Sequence, residues 1–118
     1  MRHKRHKHRL NVSPSHRKSL VKNLAIEVID HGTVRTTLAK AKAIKSYVEK
    51  LVTIAKVDTI ANRRLAFKKL NNKKAVATLF KDVGPRFTDR PGGYTRVLRF
   101  ADTRVGDGAK MGLITFVD

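Results

Sequence analysis

Twenty-seven lysines and arginines against nine aspartates and glutamates give this chain a formal charge of +18 at pH 7 before any histidine is counted. Folding crowds like charges together, so an excess of this size opposes compaction, and a polyanionic partner relieves it. Nucleic acid, an anionic membrane surface and an acidic protein are the candidates. The cations run through the whole chain, whereas a membrane-surface protein gathers them on one amphipathic helix. Nucleic acid is therefore the favoured partner.

Apolar burial has to offset that repulsion. The 118 residues amount to one domain, and a chain of this length hides roughly two-thirds of its unfolded surface. With 41% hydrophobic residues a small core is within reach. The chain has no cysteine, which removes a disulfide framework and a thiolate metal site and fits a reducing cytosol. No apolar run approaches the roughly 20 residues that span a bilayer. The basic N-terminus is not followed by the apolar stretch of a secretory signal. A cytoplasmic protein with no membrane contact is expected.

Residues 1–12, MRHKRHKHRLNV, hold five lysines and arginines and three histidines, no acid and almost nothing to bury. Such a segment cannot offset its own ordering entropy, so a basic arm, disordered when free, is expected. His3, His6 and His8 match no metal-site spacing, and no cysteine or acid nearby completes a ligand shell. Contact with RNA, shared with Arg2, Lys4, Arg5, Lys7 and Arg9, is the favoured role, and a solvated tail is the bland alternative.

Residues 13–118 read as one globular domain. Ser13-Pro14-Ser15 opens it, with Ser13 or Ser15 as helix cap. Leu20, Val21, Leu24, Ala25, Val28 and Ile29 then recur at helical spacing, and Gly32 is placed to end the helix in the left-handed conformation. TVRT at 33–36 has the β-branched content of a short strand. Thr37 caps a second helix to about Lys56, with Leu38, Ala41, Ile44, Val48, Leu51, Val52 and Ala55 as its stripe. Asp58 or Thr59 opens a third, expected to pack through Ile60, Ala61, Leu65 and Leu70. After Asn71-Asn72 a fourth carries Ala75, Val76, Leu79, Phe80 and Val83, and Gly84-Pro85 stops it. A loop over residues 86–93 leads to two strand-like runs, 94–101 and 111–117, with Gly106-Asp107-Gly108 as the turn of a hairpin. The order helix, strand, three helices, two strands predicts a two-layer α+β domain with the helices on one face of the sheet.

Catalysis finds little support. The nine acids are scattered, and Ser15-His16 are adjacent but belong to no nucleophile-elbow sequence. No cofactor, metal or small-molecule substrate is expected. Arg90-Pro91-Gly92-Gly93-Tyr94 lacks P-loop spacing. It reads either as an ordinary turn or as a place where two glycines admit a phosphate, with Arg90 and Arg96 flanking it and Tyr94 packing on sugar or base. Asn62-Arg63-Arg64 sits on a basic helix face in a chain with few acids to balance it, and arginine pairs suit bidentate phosphate contact. On the first helix His16, Arg17, Lys18, Lys22 and Asn23 are further candidates for RNA contact, as are Ser15, Lys40, Lys42 and Arg86. A DNA-binding module is the main rival, because the third and fourth helices have the outline of a helix-turn-helix; the spread of cations over every element argues against it.

MRH at 1–3, SHRKSLVKNLA at 15–25, TTLAKAKAIK at 36–45, ANRRLAF at 61–67, LF at 79–80, GPRF at 84–87, RPGGYTRVLR at 90–99 and RVGDGAKMGLITFVD at 104–118 together resemble the bacterial large-subunit ribosomal protein L17 family. The resemblance spans the chain in order; Asn11-Val12 departs from it, where relatives often carry a basic residue. It implies the same α+β order, binding to large-subunit ribosomal RNA near the mouth of the peptide exit tunnel, neighbouring large-subunit proteins as partners, and no catalytic role. Arg2, His3, His16, Arg17, Lys40, Lys42, Arg63, Arg64, Arg90 and Gly92-Gly93-Tyr94 are the positions it marks as RNA-facing. Because arm and domain are separate in this reading, replacing His3 and His6 with alanine should leave the far-ultraviolet circular dichroism of the protein unchanged. Loss of the folded signal would show that the arm belongs to the fold.

Overall fold

A computed structural model describes residues 13–117. The arm residues Arg2, His3, Lys4, Arg5, His6, Lys7, His8 and Arg9 lie outside the described residues. The chain runs α1 (Pro14–His31), β1 (Thr33–Thr37), α2 (Leu38–Ala55), α3 (Ile60–Leu70), α4 (Lys73–Thr78), β2 (Thr95–Thr103) and β3 (Lys110–Phe116). This is the expected α+β order.

Each helix begins where a side-chain oxygen can take up a backbone N–H that the first turn leaves unpaired. Ser13, rather than Ser15, caps α1 by accepting from the His16 N–H, and Pro14 occupies the first turn. Thr37 caps α2 and Thr59, rather than Asp58, caps α3. Asn72 Oδ1 accepts from the Ala75 N–H at 2.9 Å to open α4. Gly32 at φ +79° and Asn71 at φ +52° turn the chain out of α1 and α3.

Two expectations need correction. Ile60, Ala61 and Leu65 do not pack α3; they are exposed, and Ala66 with Leu70 faces the core. At roughly 100° per residue the apolar residues of this helix point three ways: Ala66 and Leu70 inward, Ile60 and Phe67 to one flank, Leu65 to another. Gly84-Pro85 also does not stop the fourth helix. The winding loosens into a π-helical turn at Leu79–Val83 and then tightens into a 3-10 turn at Gly84–Phe87. That change of pitch keeps Leu79, Phe80, Val83, Gly84 and Phe87 all buried.

The sheet is antiparallel in the order β1-β3-β2, so the last strand in sequence is central. Register sets Val34, Ile114 and Val97 in one row across the inner face, and Arg35, Leu113 and Leu98 in a row across the outer face. α2 lies on the inner face against all three strands, burying Ala41, Ile44, Val48, Leu51 and Val52. α1 packs beside it on β1 and the other helices. Phe87 ties the end of the α4 region to the sheet, its ring 5.3 Å from that of Tyr94 and 5.8 Å from that of Phe116.

Gly84 marks a close approach of two segments: a Cβ there would lie 2.3 Å from the Ala55 carbonyl oxygen. Backbone cannot yield as a side-chain tip can. Gly84→Ala should therefore lower the unfolding free energy in urea by about 1–3 kcal/mol. Gly92→Ala, which meets no atom within 4 Å, should change it by less than about 0.5 kcal/mol. Equal midpoints for the two variants would contradict this packing.

Candidate nucleic-acid interface

The cations of this fold have few internal partners. Among the described residues only two ion pairs form: Arg63 with Asp58, and Arg104 with Asp107. Arg63 Nε and Nη2 donate to the two Asp58 oxygens at 2.6 and 2.8 Å, and this guanidinium holds the Asp58 carboxyl below its ordinary range. Arg104 and the Ala109 N–H hold Asp107 well below the usual carboxylate range. Every other described lysine and arginine lacks a described carboxylate within 4 Å.

Three surfaces collect these charges. The first is a groove of about 710 Å³ between α1, α2 and α3. It brings together Arg17, Lys18 and Lys22, expected from the sequence, with Lys68 and Lys69, which sequence reasoning missed. Val21, Ala43, Tyr47 and Leu65 supply its apolar lining. The Tyr47 hydroxyl donates to the Lys69 carbonyl at 2.6 Å, and burial pushes the phenol pKa up, keeping it a protonated donor. A Lys-Lys pair four residues after Arg63-Arg64 was a readable signal for the second rim. Ser15, His16 and Asn23 are exposed on α1 outside this groove, and Lys42 is exposed and Lys40 half-buried on α2.

The second surface is a hollow of about 350 Å³ lined by Ile60, Arg63, Arg64, Phe67, Lys73 and Val76. Arg64 is exposed here without an acidic partner among the described residues. Arg63 is not free in the same sense: it grips Asp58 and lies 5.2 Å from the centre of the Phe80 ring. Asn62 is also engaged, its amide donating to the Val57 carbonyl at 2.8 Å, so it closes the turn into α3.

The third surface is the turn before β2, where the reading of Tyr94 as a residue that packs on sugar or base is overturned. Tyr94 is only 2% exposed, and its ring packs at a tilt against that of Phe87. Its hydroxyl receives a hydrogen bond from Lys56 Nζ at 3.2 Å and lies 3.4 Å from Thr53 Oγ1. An aromatic side chain with a polar tip suits this role, because the ring fills the core while the hydroxyl keeps a partner. Lys56 also donates to the Arg90 carbonyl at 2.7 Å. Glu49 Oε2 accepts from the Thr95 hydroxyl at 2.8 Å and from its N–H at 3.2 Å. Lys56 and Glu49 thus pin both ends of the turn, and neither was expected. Glu49 had a signal, as the only acid between Asp30 and Asp58. The pinned turn leaves Gly93 at φ +64° with open space around it and around Gly92. Arg90 and Arg96 are exposed beside it, and Arg86 lies over the Phe87 and Phe116 rings at 5.3 and 5.5 Å.

Among the described residues no group of three or more His, Cys, Asp or Glu is placed to hold a metal ion, and no helix is long and apolar enough to cross a membrane. The fold and these surfaces define a class: a small α+β protein whose positive charge is unbalanced within the described chain. The family described as Ribosomal protein L17 matches residues 20–117, and the chain belongs to that family of large-subunit ribosomal proteins.

Thr95 is 4% exposed, so removing its carboxylate acceptor leaves a buried N–H and hydroxyl without a partner. Glu49→Ala should cost about 1–3 kcal/mol in urea unfolding and speed amide exchange at Thr95. Glu49→Gln, which keeps an acceptor oxygen, should cost less. An unchanged exchange rate in the alanine variant would remove Glu49 from its anchoring role.

Proposed function

We propose that the chain is a structural, non-catalytic constituent of the large ribosomal subunit that binds and stabilises large-subunit ribosomal RNA near the peptide exit tunnel, in the cytoplasm. The observation that carries this reading is the unbalanced charge: 27 cations to nine acids in the chain, with two internal ion pairs among the described residues. Membership of the L17 family supports it. Exposed lysines and arginines neutralise phosphates and release counterions, while the rigid domain offers a fixed shape to folded RNA. The arm of residues 1–12 is assigned to reach between RNA segments. The apolar hollow at Ile60 and Phe67 suits a neighbouring large-subunit protein, since exposed apolar patches with a polar rim mark such contacts.

Sedimentation of a cell lysate, with and without a high-salt wash, tests the assignment. The protein should remain with the large subunit after the wash; finding it at the top of the gradient or with DNA would move the DNA-binding reading to first place. If about eight phosphates are neutralised, log affinity for ribosomal RNA should fall with a slope of roughly −6 to −7 against log salt. Arg64→Glu should reduce incorporation into subunits without shifting the urea midpoint. Duplex DNA competing as well as ribosomal RNA would count against the proposal.

A further inference from the structure

We propose that the groove between α1, α2 and α3 receives a single unpaired nucleotide of RNA, its base laid on the apolar floor and its flanking phosphates held by the two basic rims. The inference rests on the reading of the chain as an RNA binder and specifies what this surface takes from the RNA.

The groove has two kinds of wall. Its floor is Val21, Ala43, Tyr47 and Leu65, and Leu65 remains 44% exposed. Its rims are Arg17, Lys18 and Lys22 on α1 and Lys68 and Lys69 on α3. No acid among the described residues lines it, and none of these five cations has a described carboxylate within 4 Å. An apolar floor between unpaired cations is costly to leave in water and repels cationic partners. The occupant must be flat, apolar and flanked by negative charge.

RNA meets that requirement only where it is single-stranded. In a duplex the bases are stacked on one another, and the protein meets phosphates, sugar hydroxyls and base edges. An unpaired nucleotide frees one flat face and keeps a phosphate on either side. Stacking on aromatic side chains or guanidinium planes is the general means of holding such a base, and Tyr47 and Arg17 supply both here. An acidic peptide matches the rims but has no regular flat face for the floor. The groove is also built in advance: the hydrogen bond from Tyr47 to the Lys69 carbonyl ties α2 to the end of α3, which fixes the rim that carries Lys68 and Lys69.

The chain has two tyrosines and no tryptophan, and Tyr94 is 2% exposed, so ligand-induced changes in tyrosine emission report on Tyr47. The full-length protein is titrated with a short oligouridylate and with an RNA duplex of equal phosphate number at low salt. The single strand should quench tyrosine emission and the duplex should bind without quenching. Leu65→Asp should weaken oligouridylate binding about tenfold. Val105→Asp makes the same charge change at a residue that is 98% exposed on the hairpin tip and should leave binding nearly unchanged. Both RNAs binding with no difference in quenching, or the two aspartate variants losing affinity equally, overturns the groove proposal while the RNA-binding reading stands. Polyglutamate displacing oligouridylate and quenching as strongly overturns it in favour of a protein partner. If neither RNA binds, the groove proposal and the broader reading fall together.

Discussion

The contact between α2 and the inner face of the sheet is the interaction on which the rest of this protein depends. A chain with +18 formal charge has to recover from apolar burial what it loses to repulsion. One helix supplies much of that burial, since Ala41, Ile44, Val48, Leu51 and Val52 are each fully shielded from water. The central strand opposite it, β3, contributes Ile114 to the same core. At Gly112 on β3 the first residue of α2 comes close, with Leu38 Cδ1 2.9 Å from where a Cβ would stand. Lys42, Lys45 and Lys50 of α2 are thereby left exposed. Ordering of the apolar face and display of the basic face are one event.

Much of this arrangement was legible because α2 and the α4 region carry single, clean stripes. Every stripe residue expected from Ala41 to Ala55 is buried, as are Ala75, Val76, Leu79, Phe80 and Val83. α3 failed because periodicity reports that apolar residues are present, not which of them a short helix can cover. With 11 residues, it buries Ala66 and Leu70 and leaves Ile60, Leu65 and Phe67 outside. The π and 3-10 turns after α4 were invisible for a related reason. They fall where Gly84 comes so close to the Ala55 carbonyl that a Cβ would not fit, an approach between residues far apart in sequence. Tyr94 was misjudged because an aromatic residue after two glycines reads equally as a displayed ring or a buried anchor, and the partners that decide, Lys56 and Thr53, come from another element.

Charge is distributed by the same logic. Lysine and arginine stems can cover apolar surface while their heads stay in water, and several cations here lie over aromatic rings: Arg35 over Phe100, Arg63 over Phe80, and Arg86 over Phe87 and Phe116. These arginines therefore serve the fold as well as the surface. Lys56 goes further, since its ammonium is committed to the Arg90 carbonyl and the Tyr94 hydroxyl. Composition alone gives every cation the same role. The structure separates those that brace the protein from those, such as Arg64, that have no acidic partner among the described residues.

That separation bears on how specificity arises in a protein whose net charge attracts any polyanion. Charge sets affinity and its salt dependence, but a long-range field cannot distinguish one RNA segment from another. Discrimination needs places where shape and apolar contact are added to charge, held by parts that do not rearrange. The turn of residues 90–94 is pinned at one end by Lys56 and at the other by Glu49, on either side of the open backbone at Gly92 and Gly93. The α1–α3 groove is braced through Tyr47, with an apolar floor between its rims. Both surfaces are held by side chains that sequence reading passed over, because what braces them is contact between elements and not the identity of the cations they display.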